Sequence, residues 1–290
     1  MRIRVLQLLS LATILLCTVG AKAQGLEIGV KAGGAVYSGD LSPQDFGVYF
    51  EDVNFAGGAY LRYRPANRFG VRFNGNFGNI SAENETVLST GIGENQSPVT
   101  RSFKSKISEF NAVLEYDLFY VGDYDYNFAA FYLYGGIGVL SFNPQQEVDG
   151  EFVDLQPLRT EGQGLDPTNP NYAATPYELT KAVGVFGGGV RVRFAGRIVV
   201  GLEIGTRFTG TDYLDDTGFT SVRYLDVIGG PGGTQAGQIS NPAVTNIGEV
   251  SPDFSYRRGG EFNDYYFVGG LTVGITIGEG GGKKTGCYNF

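Results

Sequence analysis

No histidine occurs among the 290 residues, and this removes most of the common catalytic arrangements. A Ser-His-Asp triad, a Cys-His dyad and a histidine-ligated metal site all need an imidazole ring. Glycoside hydrolysis needs two carboxylates at a defined separation, and nothing in the sequence pairs any two of the 30 acidic residues. The sequence therefore predicts a protein with no enzymatic activity, no cofactor and no metal.

Two local motifs have a ligand-binding interpretation and a structural one. The pair Asp215-Asp216 in TDYLDD has carboxylates suited to calcium, or it forms a turn that closes a strand. Glycine runs at residues 187–190 (GGGV) and 229–233 (GGPGG) lack the Gly-Lys-Ser/Thr of a phosphate-binding loop. We expect no helix to begin at either run.

Twelve charged residues share a different pattern. Each lies in a segment where large apolar residues alternate with small or polar ones, and each falls on the small, polar face. Because both signs occur on that face, we expect a mutually paired, closed plug rather than an open pore; a solvated face of a soluble sandwich is the alternative. The set comprises Glu27, Lys31, Arg62, Arg64, Arg72, Glu109, Glu115, Asp117, Arg191, Arg193, Glu203 and Arg207.

Eight alternating segments position these charges. Each has about the length that a tilted strand needs to cross a membrane, and an even number of strands is typical of outer-membrane barrels. The sequence thus predicts an all-β protein, an eight-stranded antiparallel transmembrane β-barrel whose narrow lumen explains the small second face. The segments are residues 26–37, 55–64, 69–78, 109–118, 131–139, 182–194, 198–208 and 264–278.

The connections between segments alternate in length. Three are short, at residues 65–68, 119–129 and 195–197, and four are long, at residues 38–53, 79–104, 143–178 and 209–263. Short periplasmic turns and longer outer loops alternate in this way in outer-membrane barrels. The pattern predicts an outer-membrane location with both termini in the periplasm.

The first 23 residues have the features of a cleaved signal peptide. Arg2 and Arg4 precede a short apolar core, and residues 21–23 (Ala-Lys-Ala) form a small-x-small cleavage site. A lipoprotein signal at Cys17 is the alternative, although leucines precede it where small residues are expected. We therefore divide the chain into a signal peptide (1–23), a barrel (24–278) and a flexible periplasmic tail (279–290).

Removing the signal peptide makes an acidic chain more acidic. The net formal charge of −8 includes three basic residues and no acidic residue from the first 23 positions, so the mature chain is more negative by three. Such acidity argues against nucleic acid as a partner. Only Cys287 remains after cleavage, so no internal disulfide is expected. Its thiol either bridges to a partner or is idle.

Several stretches together resemble the PorG-like family of outer-membrane barrels. GGAVYSGDLSP (Gly33–Pro43) is similar to the Tyr-x-Gly-Asp-Leu element that opens these barrels, and ISEFNAVLEYDLF (Ile107–Phe119) resembles their fourth strand. The remaining matches are FYLYGGIGVLSFNPQ (Phe131–Gln145), LQPLRTEGQGL (Leu155–Leu165), GLEIGTRFTGTDYLDD (Gly201–Asp216) and RRGGEFNDYYFVGGLTVG (Arg257–Gly274).

The resemblance implies an eight-stranded outer-membrane barrel and a role in protein secretion. The family's namesake belongs to the type IX secretion machinery, where it ties a periplasmic lipoprotein ring to the outer membrane. On this basis we expect a structural, non-enzymatic component that contacts outer-membrane lipid and periplasmic secretion-machinery proteins. The alternative is a surface adhesin or receptor, a binding barrel that uses its long fourth loop.

Overall fold

A computed structural model describes residues 25–42, 47, 52–66, 68–123, 126–165 and 172–277. The predicted signal peptide with Cys17, and the predicted tail with Cys287, lie outside these residues and stay predictions.

Alternating sequence forms eight long strands, and two short helices lie in the connection between the seventh and the eighth of them. In chain order the strands are β1 (Leu26–Ser38), β2 (Asn54–Tyr63), β3 (Phe69–Ser89), β4 (Gln96–Gly122), β5 (Phe128–Val148), β6 (Glu151–Asp154), β7 (Thr180–Phe194), β8 (Ile198–Phe208), β9 (Val222–Arg223), β10 (Ser255–Tyr256) and β11 (Tyr265–Ile277). The helices are α1 (Tyr224–Gly229) and α2 (Gly233–Ser240), with 3-10 turns at Gln156–Leu158 and Ile247–Glu249.

Eight of these strands form a closed antiparallel ring. Strands β1, β2, β3, β4, β5, β7, β8 and β11 each hydrogen-bond to the next. The ring closes where β1 pairs with β11, with Leu26 opposite Ile277 and Ser38 opposite Tyr265. Closure satisfies the backbone groups that an open sheet would leave at its edges. The predicted eight-stranded barrel is confirmed.

The outer face of the ring carries a continuous apolar belt. Leu114 exposes 68% of its surface and Ile137 exposes 76%, values far from those of core residues. Water would oppose so large an exposed apolar surface, whereas the hydrocarbon of a bilayer is its natural contact. Further exposed members of the belt are Ile28, Val30, Phe55, Leu61, Phe69, Phe73, Phe77, Phe110, Phe131, Val139, Phe186, Val190, Leu202, Ile204, Leu271, Val273 and Ile275.

The polarity of the two faces inverts partway along β3. Up to Phe77 the outward residues are apolar and the inward ones are polar, as in Asn76. Beyond that point the outward positions include Glu83, which is exposed, while Ile80 and Ala82 point inward and are buried. Successive strand residues face opposite sides, so this inversion marks where the outer face leaves lipid for water.

Strands β4 and β5 invert at the same level. On β4, Lys104 and Lys106 are exposed beyond the belt. Ile107, which follows Lys106 on the way back to the belt, is buried. On β5, Leu140 and Phe142 are buried directly beyond the belt residue Val139. The three strands therefore continue beyond the bilayer as a sheet with an apolar interior.

Three predicted connections are shorter in the structure because their strands are longer. The predicted loop at residues 79–104 was wrong, because β3 runs to Ser89 and β4 begins at Gln96. The predicted loop at 143–178 was wrong in its first part, where β5 continues to Val148. The predicted turn at 119–129 was too long, because β4 runs to Gly122 and β5 begins at Phe128. The strands outlast the membrane-crossing pattern because the pattern inverts instead of stopping.

The expectation that no helix begins at GGPGG was also wrong. Helix α2 begins at Gly233, and the Ala236 amide donates a 3.1 Å hydrogen bond to the Gly232 carbonyl. Burial of Ala236 and Ile239 stabilises the helix in place of a side-chain cap, which it lacks. In the part of the chain that the structure describes, no helix is long and apolar enough to cross a bilayer.

The barrel has a short-turn end and a long-loop end. The short connections from β2 to β3, from β4 to β5 and from β7 to β8 lie at the first end. At the other end, residues 155–165, 172–179 and 209–263 form a folded cap. Its hydrophobic core contains Val222, Tyr224, Val227, Ala236 and Val244, together with Tyr172, Val250 and Tyr256.

Replacing Leu114 by arginine tests the position of the belt. We expect Leu114→Arg to reduce the free energy of unfolding in lipid vesicles by about 2–4 kcal/mol. This is the cost of a basic residue near the bilayer midplane. The matched change Ser102→Arg lies outward on the same strand but beyond the inversion, opposite Glu83, and should have little effect. Urea titration of folding measures both variants, and equal losses would place the membrane boundary elsewhere.

Candidate functional site

The twelve charges predicted to line the lumen all lie inside the ring. Eleven of them are at least nine-tenths buried, and the Lys31 side chain is 10% exposed. They come from or directly follow six strands, namely β1, β2, β3, β4, β7 and β8. Their alternation with apolar residues on the outer face is what brings them together.

Glu115 contacts three cationic side chains. Its Oε2 lies 2.8 Å from Arg62 Nε and 2.7 Å from Arg191 Nη1. Its Oε1 lies 2.9 Å from Arg72 Nε. One side chain of β4 therefore joins guanidinium groups from β2, β3 and β7 across the full width of the lumen.

Two further carboxylates extend the network toward the short-turn end. Asp117 Oδ2 lies 2.7 Å from Arg64 Nη2, and Asp117 Oδ1 contacts Arg191 Nη2. Glu27 forms an ion pair with Arg62, which also serves Glu115. Each arginine that touches two carboxylates fixes the position of both, so this layer is cross-linked rather than a set of separate pairs.

Two carboxylates of β8 and β4 extend the network toward the long-loop end. Glu203 Oε2 accepts a 2.6 Å hydrogen bond from Arg72 Nη1, and Glu203 Oε1 lies 3.5 Å from the Lys31 ammonium. Glu109 Oε2 accepts a 3.2 Å hydrogen bond from Arg207 Nε. The two layers share Arg72, which also contacts Glu115.

Aromatic rings balance an excess of positive charge among the twelve residues. Seven of them are basic and five are acidic. The guanidinium carbon of Arg191 lies 4.4 Å from the ring centre of Tyr132, and that of Arg193 lies 5.1 Å from the ring centre of Phe128. Such contacts attract a cation to the negative face of the ring. Tyr132 also donates a 2.7 Å hydrogen bond to Glu203, which adds β5 to the network.

Strand β11 joins through Tyr266, whose hydroxyl donates a hydrogen bond to Glu109. With this contact, all eight barrel strands supply at least one side chain to the network. The sequence pattern identified the charges but missed the tyrosines, because Tyr132, Tyr134 and Tyr266 were treated as ordinary members of their strands.

Glycines make room for the inward tyrosines. Tyr134 lies opposite Gly187, which lies opposite Gly205 on the next strand. A Cβ on Gly187 or Gly205 would lie 2.5 or 2.3 Å from the Tyr134 hydroxyl oxygen, closer than any side chain tolerates. Tyr60 lies across Gly29 in the same way. The small inner face is therefore a set of spaces that rings from neighbouring strands fill.

One small cavity lies beside the network. A cavity of about 20 Å³ next to Lys31 and Glu203 is lined by Gly33, Gly270 and Thr272. This is about the room that one water molecule needs. In the described part of the barrel the charges thus act as a packed plug.

An apolar plug lies beyond the charges, at the long-loop end. Tyr37 and Phe103 pack edge to face with ring centres 4.7 Å apart, and Phe142 and Tyr177 stack. Leu214 of the cap is fully buried in the same cluster. Phe103, Tyr177 and Leu214 lie in residues predicted as loops, so the sequence pattern did not predict this plug. The signal that finds it is the inversion of polarity at residues 79–80, 107–108 and 139–140.

The pair Asp215-Asp216 is buried where the cap meets the barrel. Asp216 Oδ1 accepts a 2.8 Å hydrogen bond from the Tyr177 hydroxyl, and Asp216 Oδ2 accepts a 3.1 Å bond from Arg258 Nη1. Asp215 Oδ1 accepts a 2.9 Å bond from the Thr217 amide. Among the described residues no three Asp, Glu or Cys side chains are grouped so as to hold a metal ion. The geometry makes both residues tethers of the cap.

Replacing Glu115 by glutamine tests the plug as a unit. The change keeps the side-chain volume but leaves three buried guanidinium groups without their shared anion. Removing one partner of a buried ion pair costs about 3–5 kcal/mol. We therefore expect Glu115→Gln to reduce the free energy of unfolding in lipid vesicles by that amount. The matched control Glu178→Gln removes an exposed carboxylate from its 3.4 Å pair with Lys181 and should change little. A stability loss no greater than that of the control would contradict the network.

Three solved structures are similar to the chain at low sequence identity. The N-terminal β-barrel domain of Pseudomonas aeruginosa OprF is 9% identical with a TM-score of 0.33, over 86% of this chain and 96% of that chain. The attachment invasion locus protein Ail of Yersinia pestis is 11% identical with a TM-score of 0.33, over 87% of this chain and 97% of that chain. Ail in complex with the heparin analogue sucrose octasulfate gives the same identity and TM-score, with 87% of this chain and 99% of that chain covered. The fold itself rests on the hydrogen-bonded ring.

Comparison with curated protein sequences gives no match. One protein-family model matches residues 6–156, which span the start of the chain and the first five barrel strands. With more than half of its length matched, the chain belongs to the family described as Domain of unknown function (DUF6089).

Proposed function

We propose that this protein is a non-enzymatic, closed outer-membrane barrel that anchors a protein complex to the membrane. The observation that carries the proposal is the plug, in which side chains from all eight strands meet around Glu115, Glu203 and Glu109. A lumen filled in this way offers no passage for a solute. The surfaces left for function are the two ends of the barrel.

A rigid barrel suits an anchor. The apolar belt holds the molecule in the bilayer, and the cross-linked network resists sliding of one strand past the next. Protein partners then need only a surface at one end. The resemblance to PorG-like barrels supports the type IX secretion machinery as that partner, with a periplasmic ring tied to the outer membrane.

The short-turn end is the surface that the anchor proposal assigns to periplasmic partners. Val121 exposes 78% of its surface at the end of β4, and Tyr126 exposes 39% in the turn that follows. Arg68 lies with its guanidinium carbon 5.2 Å from the ring centre of Tyr120 on the same side. Exposed aromatic and arginine side chains are the residue types that most often dominate protein–protein binding energy.

Surface binding through the cap is the second candidate. The specific observation in its favour is that the cap has its own core, in which Val222, Tyr224 and Val227 are fully buried. A loop needed only to connect β8 to β11 has no reason to fold around such a core. The exposed rings of Phe219 and Phe262 then provide contact surface for an extracellular partner.

Complementation of a deletion strain separates the two candidates. We expect loss of type IX cargo secretion on deletion, rescue by the wild-type gene, and failure of rescue by Val121→Ser combined with Tyr126→Ser. Val87→Ser is the matched control, since Val87 is 62% exposed near the long-loop end and its loss should still allow rescue.

A cap-trimmed variant completes the test. Strands β9 and β10 pair as Arg223–Ser255 and Val222–Tyr256, so an Asn-Gly turn can replace residues 224–254 and leave a hairpin. The anchor proposal expects this variant to rescue secretion. Secretion that stays intact on deletion would contradict the anchor role, and loss of cell-surface binding only in the trimmed variant would establish the second candidate.

A further inference from the structure

Two buried aspartates share one tyrosine where the cap meets the barrel. The Tyr37 hydroxyl lies 2.9 Å from Asp215 Oδ2 and 2.7 Å from Asp264 Oδ1. Asp215 and Asp264 are 1% and 0% exposed. Tyr37 is the second-last residue of β1, Asp264 immediately precedes β11, and Asp215 belongs to the cap. The three side chains therefore connect the barrel wall to the structure that covers it.

The two contacts of the Tyr37 hydroxyl call for two hydrogens, whereas two carboxylates and one phenol hold only one. The phenol has one hydrogen and can donate it to one carboxylate only. The second oxygen at hydrogen-bond distance would then face the phenol oxygen with no hydrogen between them, unless it carries a proton itself. A proton on one carboxyl of the pair lets that carboxyl donate to Tyr37 while Tyr37 donates to the other.

The backbone fixes where that proton lies. The Leu214 amide donates a 2.8 Å hydrogen bond to Asp264 Oδ2, and the Thr217 amide donates a 2.9 Å bond to Asp215 Oδ1. These two oxygens act as acceptors, so the proton occupies one of the oxygens that face Tyr37. Gly39 permits the approach, because a Cβ there would lie 1.9 Å from Asp264 Oδ1.

The charges around the pair favour retention of the proton. Asp40 follows β1, while Asp212 and Glu161 belong to the cap. Against these carboxyl groups stand Arg101 from β4, bound to the Thr217 hydroxyl at 2.7 Å, and Arg258 from the cap, whose Nη1 lies 4.0 Å from Glu161 Oε1. Carboxyl groups outnumber guanidinium groups in this region.

Glu161 provides an independent sign of bound protons. It is completely buried, and its Oε2 has no hydrogen-bond partner among the described residues. An ionised oxygen in that position would be costly, whereas a protonated one is tolerated. Burial raises the pKa of Glu161 to about 8, although Arg258 acts in the opposite direction.

The pKa values of the other carboxyl groups shift the same way. Burial and then the charge of Asp215 raise the pKa of Asp264, and burial and then the charge of Asp40 raise that of Asp215. Burial, followed by Asp40 and Asp215, raises the pKa of Asp212 to about 8. In the part of the chain that the structure describes, no three of these acids are grouped as metal ligands.

We propose that a proton shared by Asp215, Tyr37 and Asp264 latches the cap onto the barrel, and that its loss at alkaline pH releases the cap. The latch is independent of which partner the protein binds. It makes the cap surface and the barrel mouth responsive to external pH.

The direction of the effect follows from the raised pKa. A carboxyl in the undocked, water-exposed cap titrates near about 4, its ordinary value. The docked pKa is higher, so the stabilisation by the proton is complete below that ordinary value. It is lost as the pH rises through the docked pKa, with about a tenfold change in the opening equilibrium per pH unit for one proton.

Hydrogen exchange of the full mature protein in lipid or detergent tests the latch. The amides of Leu214 and Thr217 report directly, and protection factors remove the intrinsic pH dependence of exchange. We expect their protection to fall at least tenfold between pH 5 and pH 8 in the wild type. In Asp264→Asn the amide supplies a permanent hydrogen toward Tyr37, so protection should stay high and change little with pH. The matched control Asp226→Asn, which removes a partly exposed cap carboxylate paired with Arg223, should follow the wild type.

Two outcomes would overturn the proposal. One is a wild-type protection that does not change with pH. The other is an undiminished pH dependence in Asp264→Asn that disappears in Glu161→Gln, which would place the sensitive proton on Glu161. If Asp264→Asn does not fold, infrared spectroscopy of Glu161→Gln combined with Asp212→Asn decides, because these changes remove two other carboxyl groups with raised pKa. A carboxylic-acid carbonyl band at pH 5 that weakens by pH 8 supports the latch, and its absence at pH 5 contradicts it.

Discussion

A lumen closed by eight strands is too narrow to leave a charge unpaired, and the rest of the structure follows from that constraint. Side chains only just fill a ring of this size. A charge inside it is removed from water, which is costly unless partners of opposite sign lie within contact distance. Glu115 meets the requirement with three guanidinium groups, from Arg62, Arg72 and Arg191. Because those groups come from three other strands, pairing the charge also fixes the strands relative to one another.

The same strands satisfy two opposite environments along their length. Within the bilayer the outer face is apolar and the inner face carries the charges. Beyond it, Lys104 and Lys106 face outward while Ile107 and Leu140 fill the interior. The inversion lets β3, β4 and β5 form the wall of a water-facing structure without a break in the hydrogen-bonded ladder. Leu214 and Tyr177 of the cap complete the interior that those strands provide.

The sequence contained enough to predict the barrel because each strand records its own alternation. Leu114 and Glu115 are neighbours, and their opposite characters already assign one to lipid and the other to the lumen. The extension of β3 could also be predicted, since the apolar residues move from odd to even positions at Ile80. A membrane-crossing strand needs only about ten residues, so the sequence pattern predicts a loop after Gly78.

Features that depend on cross-strand register or long-range contacts could not be predicted in the same way. The fit of Tyr134 over Gly187 and Gly205 depends on the registers of two strand pairs, which no single segment specifies. The contacts of Tyr37 with Asp215 and Asp264 join residues 178 and 227 positions apart. Helix α2 was hidden by the glycines around Pro231, since its stability comes from burial of Ala236 and Ile239 rather than from local propensity.

Ion conductance tests the central claim of a sealed lumen most directly. The purified full-length protein, inserted into a planar lipid bilayer in high salt, is held at voltages of either sign while current is recorded. Our account predicts no unitary current steps, because the paired side chains around Glu115 fill the lumen. Regular, reproducible steps from single inserted barrels would show an open path through the ring and would contradict it.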